Sequence, residues 1–178
     1  MRFFVFISLS ALIFFSCHAS GIEISKNSEY LLRKNGITFF KGLKFTGVIT
    51  DTYSDGLPKS LTSFKMGIRH GYLKEWFSNK KLKSIKTYHS GKSVGVQRGF
   101  WDSGGKRYLY RYKNGVQHGT QFEWHQNGQL ARKSTMRDGQ LNGIQKGWRE
   151  DGDIKFNFIY VNGKRYGFLG AELCVPPE

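Results

Sequence analysis

The chain has 178 residues, a length typical of a single domain. Its 28 lysines and arginines outnumber its 13 aspartates and glutamates, for a formal net charge of +15. In a cytosolic protein this excess would favour a nucleic-acid partner, but the first residues indicate export, which excludes one.

The N-terminus, residues 1–16, has the pattern of a secretory signal. A single charge, Arg2, precedes an apolar run from Phe3 to Phe15. A charged start followed by a short apolar stretch is typical of a signal peptide. The run is also shorter than the about 20 apolar residues that span a bilayer. We therefore predict an exported protein.

The signal ends in Phe14-Phe15-Ser16-Cys17, which resembles a bacterial lipobox. Cys17 would then be lipidated and would be the first mature residue. His18 follows it where an Asp would signal inner-membrane retention, so an outer-membrane lipoprotein is favoured. The alternative is cleavage after Ala19, which would give a periplasmic or secreted soluble protein.

The second cysteine, Cys174, lies at the other end of the chain. A dozen strands at about 4.8 Å spacing would put it roughly 50 Å from Cys17, too far for a disulfide. Its role stays open between a free thiol and a partly buried residue of a C-terminal cap.

The mature chain remains basic. Loss of Arg2 with the signal leaves 28 minus 1 basic residues against 13 acidic ones, or +14. For an exported protein this charge favours anionic lipid, an anionic envelope polymer or an acidic protein as partner. The alternative is that a one-layer sheet needs charged faces for solubility.

A repeat of 24 residues runs through most of the chain, marked by Gly47, Gly71, Gly95, Gly119, Gly143 and Gly167. A second set of glycines, expected in turns, lies four residues earlier: Gly67, Gly91, Gly115, Gly139 and Gly163. A fixed period of this length is the mark of a repeat architecture.

Each repeat predicts one β-hairpin. Asn114-Gly115, Asn127-Gly128 and Asp138-Gly139 are signals for two-residue type I′ turns. Alternating, aromatic-rich stretches between them are typical of strands. The sequence thus predicts an all-β fold, an array of antiparallel β-hairpins forming an elongated, twisted single-layer meander.

Alternation places Phe122 and Trp124 on one face of the sheet and Gln121, Glu123 and His125 on the other. Leu130 and Met136 are expected to meet Phe122 and Trp124. Aromatic residues recurring from copy to copy are interpreted as a stacked inter-repeat core. They are Trp76, Phe100, Trp124, Trp148, Tyr88, Tyr112 and Tyr160.

Lysines and arginines recur near the turns and on the returning strands. Stacked hairpins would align them in a basic stripe that attracts anionic partners. The residues assigned to this basic binding face are Lys83, Lys86, Arg107, Arg111, Arg132 and Arg137.

No catalytic or metal site is predicted, and no cofactor. His70 and His118 occupy equivalent positions two copies apart, about 19 Å from each other, too far to share an ion. The serines lack a nucleophile motif, and the repeat glycines lack the context of a phosphate loop. An enzyme is therefore not expected.

The repeat resembles the MORN repeat in its bacterial variant form, as found in YwqK-like antitoxin proteins. Tyr112, Gly115, Gly119, Trp124, Asn127-Gly128 and Leu130 fill the motif in order. The segment Leu32–Phe40 is similar to the start of many exported members. The resemblance implies a hairpin array used for protein or lipid contact and no catalytic residue.

Two copies depart from this motif. In one, Asn79-Lys80 replaces Asn-Gly, and in the next, Lys106 replaces the expected Leu.

The predicted organisation is a signal at 1–16, a linker at 17–29, an N-terminal capping hairpin at 30–46, MORN-like repeats at 47–168 and a C-terminal cap at 169–178.

The sequence favours a non-enzymatic exported module that binds an envelope protein or polymer. One alternative, carried by the resemblance, is an antitoxin or immunity role. A second is binding of anionic lipid through a basic sheet face. Monomer and edge-paired homodimer both remain open.

Overall fold

The computed structural model describes residues 22–169, and every regular element in that range is a β-strand. The predicted signal, Cys17, Ala19 and Cys174 lie outside these residues. The strands are β1 (Ile22–Ser25), β2 (Leu31–Lys34), β3 (Ile37–Phe40), β4 (Leu43–Lys44), β5 (Gly47–Thr52), β6 (Pro58–Lys65), β7 (Ile68–Trp76), β8 (Leu82–His89), β9 (Lys92–Ser93), β10 (Gly95–Phe100), β11 (Lys106–Lys113), β12 (Val116–Gln117), β13 (Gly119–Trp124), β14 (Leu130–Arg137), β15 (Gln140–Trp148), β16 (Ile154–Val161) and β17 (Lys164–Leu169).

Fourteen strands form one open main sheet in the order β1-β5-β6-β7-β8-β10-β11-β13-β14-β15-β16-β17, with β9 beside β8 and β12 beside β11. From β5 onward all neighbours are antiparallel, so each 24-residue repeat is one hairpin of a meander. The predicted all-β hairpin array is confirmed. Among the described residues there is no helix long and apolar enough to cross a membrane.

One edge of the main sheet, the tight-turn edge, carries two-residue turns. At Asn114-Gly115 both residues have positive φ, 51° and 93°, as a type I′ turn requires. The amide of Gly115 donates to the carbonyl of Ser93 in the preceding copy at 2.9 Å. Gly67, Gly91 and Gly139 donate to the preceding copy in the same way. These four tight turns therefore also bridge neighbouring repeats.

The opposite edge, the tip edge, carries longer loops, which corrects the expectation of a type I′ turn at Asn127-Gly128. Only Gly128 has positive φ there, 89°. Its amide donates to His125 O at 3.0 Å, and the Asn127 side chain accepts from Gln129 N at 2.9 Å. This is a type I turn followed by a left-handed glycine, the usual three-residue hairpin loop.

Beside every tip the strand register shifts by one residue, which is a β-bulge. In the fourth copy Glu123 pairs with Arg132 and Trp124 with Leu130, so Ala131 is the extra residue. The equivalent extra residues are Lys59, Lys83, Arg107 and Lys155.

The bulge corrects one predicted side-chain contact. Leu130 pairs with Trp124 as expected, but Met136 pairs with Gly119 and lies near Gln121 and Ser134 on the other face. One inserted residue reverses the alternation of everything beyond it. Strict alternation along the strand, without the bulge, therefore predicts the wrong face for Met136.

The N-terminal part is more ordered than a linker and a hairpin. Residues 22–25, inside the predicted linker, form β1, which pairs parallel to β5. Lys26 anchors this strand by an ion pair with Asp51 at 2.9 Å. Residues 31–44 form a separate three-stranded sheet, β2-β3-β4, instead of one hairpin. Phe45, 3% exposed, packs this small sheet against Phe64 of the main sheet.

Candidate interaction surface

The two faces of the main sheet differ in chemistry. One, the glutamine face, carries Gln97, Gln121 and Gln145, which are equivalent in successive copies and between 0 and 5% exposed. The other, the tryptophan face, carries Trp76, Phe100, Trp124 and Trp148, all half-buried. Among the side chains that the structure describes, only Phe45 and Ile49 are buried apolar ones. The most buried row of the array is therefore polar.

Gln121 shows why an amide is buried. Between β11 and β13 the ladder of strand pairs covers only residues 108–109 and 122–123. Beyond it, Gln121 Oε1 accepts from Arg111 N at 2.7 Å, and Gln121 Nε2 donates to Arg111 O at 3.2 Å. Gln145 Nε2 donates to Thr135 O, one repeat further on, at 2.8 Å. These side chains replace backbone partners where neighbouring hairpins separate.

The predicted aromatic core is divided between the faces. Tyr88, Tyr112 and Tyr160 pair with glycines on the glutamine face, opposite the tryptophans. Rings contact one another along a strand, as Phe122 and Trp124 do at 5.8 Å, and Tyr108 and Tyr110 at 4.6 Å. Equivalent rings of successive copies are about 9.6 Å apart, beyond ring contact. The expected stacking from copy to copy is therefore wrong.

Two strand glycines serve as platforms for rings. The ring of Tyr108 lies over Gly99 and the ring of Phe156 over Gly147, so a methyl group at either glycine would collide with the ring. Neither of them is a repeat-marking glycine just after a tight turn, such as Gly95 or Gly143. They occur instead four residues later, beside the bulge.

The six residues assigned to a basic stripe do not line one surface. Lys86 and Arg132 point to the glutamine face, where Lys86 pairs with Glu75 at 3.0 Å and Arg132 donates to Ser134 at 2.8 Å. Arg111 lies over Phe122 on the tryptophan face. Lys83 and Arg107 are bulge residues, and Arg137 lies near the tight-turn edge. A single stripe is excluded because alternation and bulges send them in different directions.

Polar contacts and burial on the glutamine face shift the pKa values of Glu75 and Tyr110. Burial raises the pKa of Glu75, but hydrogen bonds from Ser84 at 2.6 Å and Lys86 at 3.0 Å outweigh it and hold that pKa below its usual value of 4.5. Burial, and then the hydrogen bond to Glu123 at 2.8 Å, raises the pKa of Tyr110. Both groups bind neighbouring strands together.

At the tips, a cation lies over an aromatic ring in three successive copies. Lys59 lies over Tyr53 at 5.7 Å, Lys83 over Phe77 at 5.6 Å and Arg107 over Trp101 at 4.7 Å. The ring residues also fix the spacing of the tips. Tyr53 donates to Trp76 O at 2.9 Å and Trp101 Nε1 to Trp124 O at 3.2 Å, both in the next copy.

The second and third tips hold most of the positively charged side chains at the tip edge. We name Lys80, Lys81, Lys83, Lys106 and Arg107 the tip cluster; all five are exposed. Lys81 Nζ donates to Ser103 O of the neighbouring tip at 2.7 Å, and Lys106 lies over Trp124 at 5.7 Å. Of these five residues, only Lys83 and Arg107 belong to the six that the sequence assigned to a basic binding face. The departures from the repeat motif at Lys80 and Lys106 are the sequence features that could have indicated this cluster.

The histidines form pairs. His70 contacts His89, with ring centroids 4.8 Å apart, and His118 lies 3.4 Å from Asp138. Within residues 22–169 no three His, Cys, Asp or Glu side chains come together as metal ligands. A groove of about 310 Å³ lies beside Phe100 and Trp124, and its lining is mostly apolar.

The fold defines a repeat protein built from β-hairpins. Residues 69–90 and 117–138 match the family model described as MORN repeat variant, and the two matches lie two repeats apart. Repeats of this class are generally protein- or membrane-interaction modules. No curated protein and no solved structure matches the chain.

Proposed function

We propose that this protein is a non-enzymatic interaction module that binds another macromolecule through the surface of its hairpin array. The supporting observation is the open single layer itself. Trp76, Phe100, Trp124 and Trp148 stay half-exposed on one face, beside cations such as Arg98 and Lys146. Aromatic and arginine side chains on an accessible surface favour a protein partner.

The place of action belongs to the same proposal. The N-terminal pattern supports export, with lipidation at Cys17 and an outer-membrane position. Cleavage after Ala19 remains the alternative. An anchored array would present its sheet to partners within the envelope. Metabolic labelling with a fatty acid, comparing the native chain with Cys17→Ser, tests the anchor, which predicts label on the native chain only.

The function is tested by crosslinking the tagged, natively processed protein in its own cells and identifying captured molecules by mass spectrometry. We expect one dominant protein partner, lost when Trp124→Ala and Phe100→Ala are combined. Capture of no macromolecule under native conditions would contradict the proposal. If the partner is a toxin, the module has an immunity role.

A second candidate, binding of anionic lipid, is favoured by the exposed tip cations. It predicts sedimentation with phosphatidylglycerol vesicles that weakens as salt rises, because exposed charges are screened. Equal sedimentation with neutral phosphatidylcholine vesicles would exclude this candidate.

A further inference from the structure

Lys80 has a backbone conformation that its repeat position reserves for glycine. Its φ is +67°, and Gly56, Gly104, Gly128 and Gly152 occupy the equivalent position in the other copies. The left-handed region is unfavourable for a residue with a Cβ atom. A lysine held there against local preference indicates that its side chain serves a purpose at the surface.

Lys106 is the second departure, on the neighbouring tip. The equivalent residues in the other copies are Pro58, Leu82, Leu130 and Ile154, none of which is charged. Lys106 places its ammonium group over the Trp124 ring. Two unrelated departures from the repeat therefore add cations to neighbouring tips.

The charge of the tip cluster is local. Residues 77–83 and 101–107 contain five basic side chains and one acidic one, Asp102. The fifth tip, residues 149–155, contains two basic and three acidic ones. Within the described residues, none of the five cluster cations forms an ion pair with a carboxylate. The cluster is thus a short patch of uncompensated positive charge.

The size of the patch defines the kind of partner. Neighbouring tips are about 10 Å apart, two strand spacings, which an extended peptide covers in about three residues. A bilayer or a long polyanion would contact the whole edge, including the acidic fifth tip, which would repel it. The half-buried rings of Phe77 and Trp101 supply the apolar floor that protein interfaces use.

We propose that the tip cluster is the docking site for an extended acidic segment of a partner protein. This inference rests on the proposed interaction function and names the chemistry of the partner. Aspartates or glutamates on alternate residues would share one face of the segment, about 7 Å apart, within reach of the long side chains of Lys83 and Arg107 on the two tips. Lys80 and Lys106 would flank them.

The test uses the full chain and a fluorescent peptide with aspartate at every second position, followed by anisotropy. A peptide with asparagine in place of aspartate is the matched probe. We expect Lys83→Gln with Arg107→Gln to weaken aspartate-peptide binding about fivefold, from two exposed charge pairs. Lys113→Gln with Lys164→Gln removes the same amount of charge from the tight-turn edge. This variant is expected to change binding by less than about twofold, because these two lysines lie beyond the screening distance from the tip cluster.

Lys80→Gly separates binding from folding. Glycine relieves the positive φ, so the variant is expected to melt at a higher temperature while binding the aspartate peptide more weakly. Loss of binding in a stabilised protein does not come from misfolding. A stabilised variant with unchanged binding would overturn the proposal.

Other outcomes also decide it. Equal weakening by the tip and tight-turn variants would show a response to net charge alone and overturn the proposal. Tip-dependent binding of phosphatidylglycerol vesicles or polygalacturonate without peptide binding would overturn it too. If crosslinking captures a protein partner equally with the tip variants, the interaction function stands and only this docking site fails.

Discussion

At the scale of single residues, the burial of polar side chains was the least predictable feature. Alternation placed Gln121 opposite Phe122 and Trp124, and the structure agrees. The recurring aromatic residues were interpreted as the core, yet Gln121 is 4% exposed whereas the rings of Phe122 and Trp124 are half-buried. An amide is buried because Arg111 N–H needs an acceptor where two hairpins separate, and the amide nitrogen donates in turn to Arg111 O. That need depends on strand spacing, which no residue pattern displays.

Gln121→Leu tests this role. The substitution leaves the N–H of Arg111 without its acceptor, which costs about 1–3 kcal/mol for a buried group, while Arg111 O keeps the bond from His118 N at 3.0 Å. We expect the free energy of unfolding in urea to fall by about that amount. Gln126→Leu changes the same residue type at an exposed loop position and is expected to change stability by less than about 0.5 kcal/mol. Equal effects would show that Gln121 is not a backbone substitute.

Glu75 gives a prediction for acid stability. Its folded-state pKa lies below its usual value of 4.5, so its contribution is fully present above that value and is lost as pH falls through the folded pKa. The native chain is therefore expected to lose more stability than Glu75→Gln between about pH 5 and pH 3. Urea unfolding at several pH values measures the difference. Glu23→Gln, at an exposed position that forms no ion pair with any residue from 22 to 169, is expected to follow the native curve.

At the scale of elements, the two edges of the sheet use different loops for a physical reason. Beyond the two-residue type I′ turns the register shifts by two residues, as between Ser134 and Met136, which preserves the alternation of side chains, whereas the one-residue bulge beside each three-residue loop reverses it. The recurring glycines, together with the Asn-Gly and Asp-Gly pairs, predicted one hairpin for each 24-residue repeat, which the structure confirms. It treated both edges alike, since Asn114-Gly115 and Asn127-Gly128 are the same dipeptide. Only the strand register separates them.

Gly115→Ala tests the tight turn. Gly115 has a φ of 93°, and an added Cβ would make only ordinary contacts with Lys92, so the cost is conformational. We expect a loss of about 1–2 kcal/mol in unfolding free energy. Gly105→Ala is the matched control, because Gly105 lies in a loop without positive φ. A loss no larger than that of the control would contradict the turn assignment.

At the scale of the whole molecule, each hairpin contacts its neighbours and little else. First strands of a repeat carry glycines, as at Gly95 and Gly99, and second strands carry rings, as at Tyr108 and Tyr112, so unlike strands complement each other. Stability in such arrays is nearly a sum of repeat and interface contributions. Whole repeats are therefore interchangeable units, whereas half repeats are not.

Deletion of residues 101–124, one full repeat, joins Phe100 to the equivalent successor His125 and preserves every register. We expect this variant to give a cooperative melt and a β-sheet circular dichroism spectrum. Deletion of residues 101–112, half a repeat, places two glycine-bearing strands side by side and is expected to abolish the cooperative transition. Cooperative melting of both variants would contradict the proposed complementarity of strands.

The sequence by itself determined the class of fold, the 24-residue hairpin unit and the sites of the turns. Glycines, turn dipeptides and alternation act over a few residues and recur in every copy. The tertiary structure alone decided which face is buried, where bulges reverse the alternation, and which cations meet. Those features depend on contacts between strands of different repeats. Lys80 and Lys106 are far apart in the chain, and only the stacking of hairpins brings them to one surface.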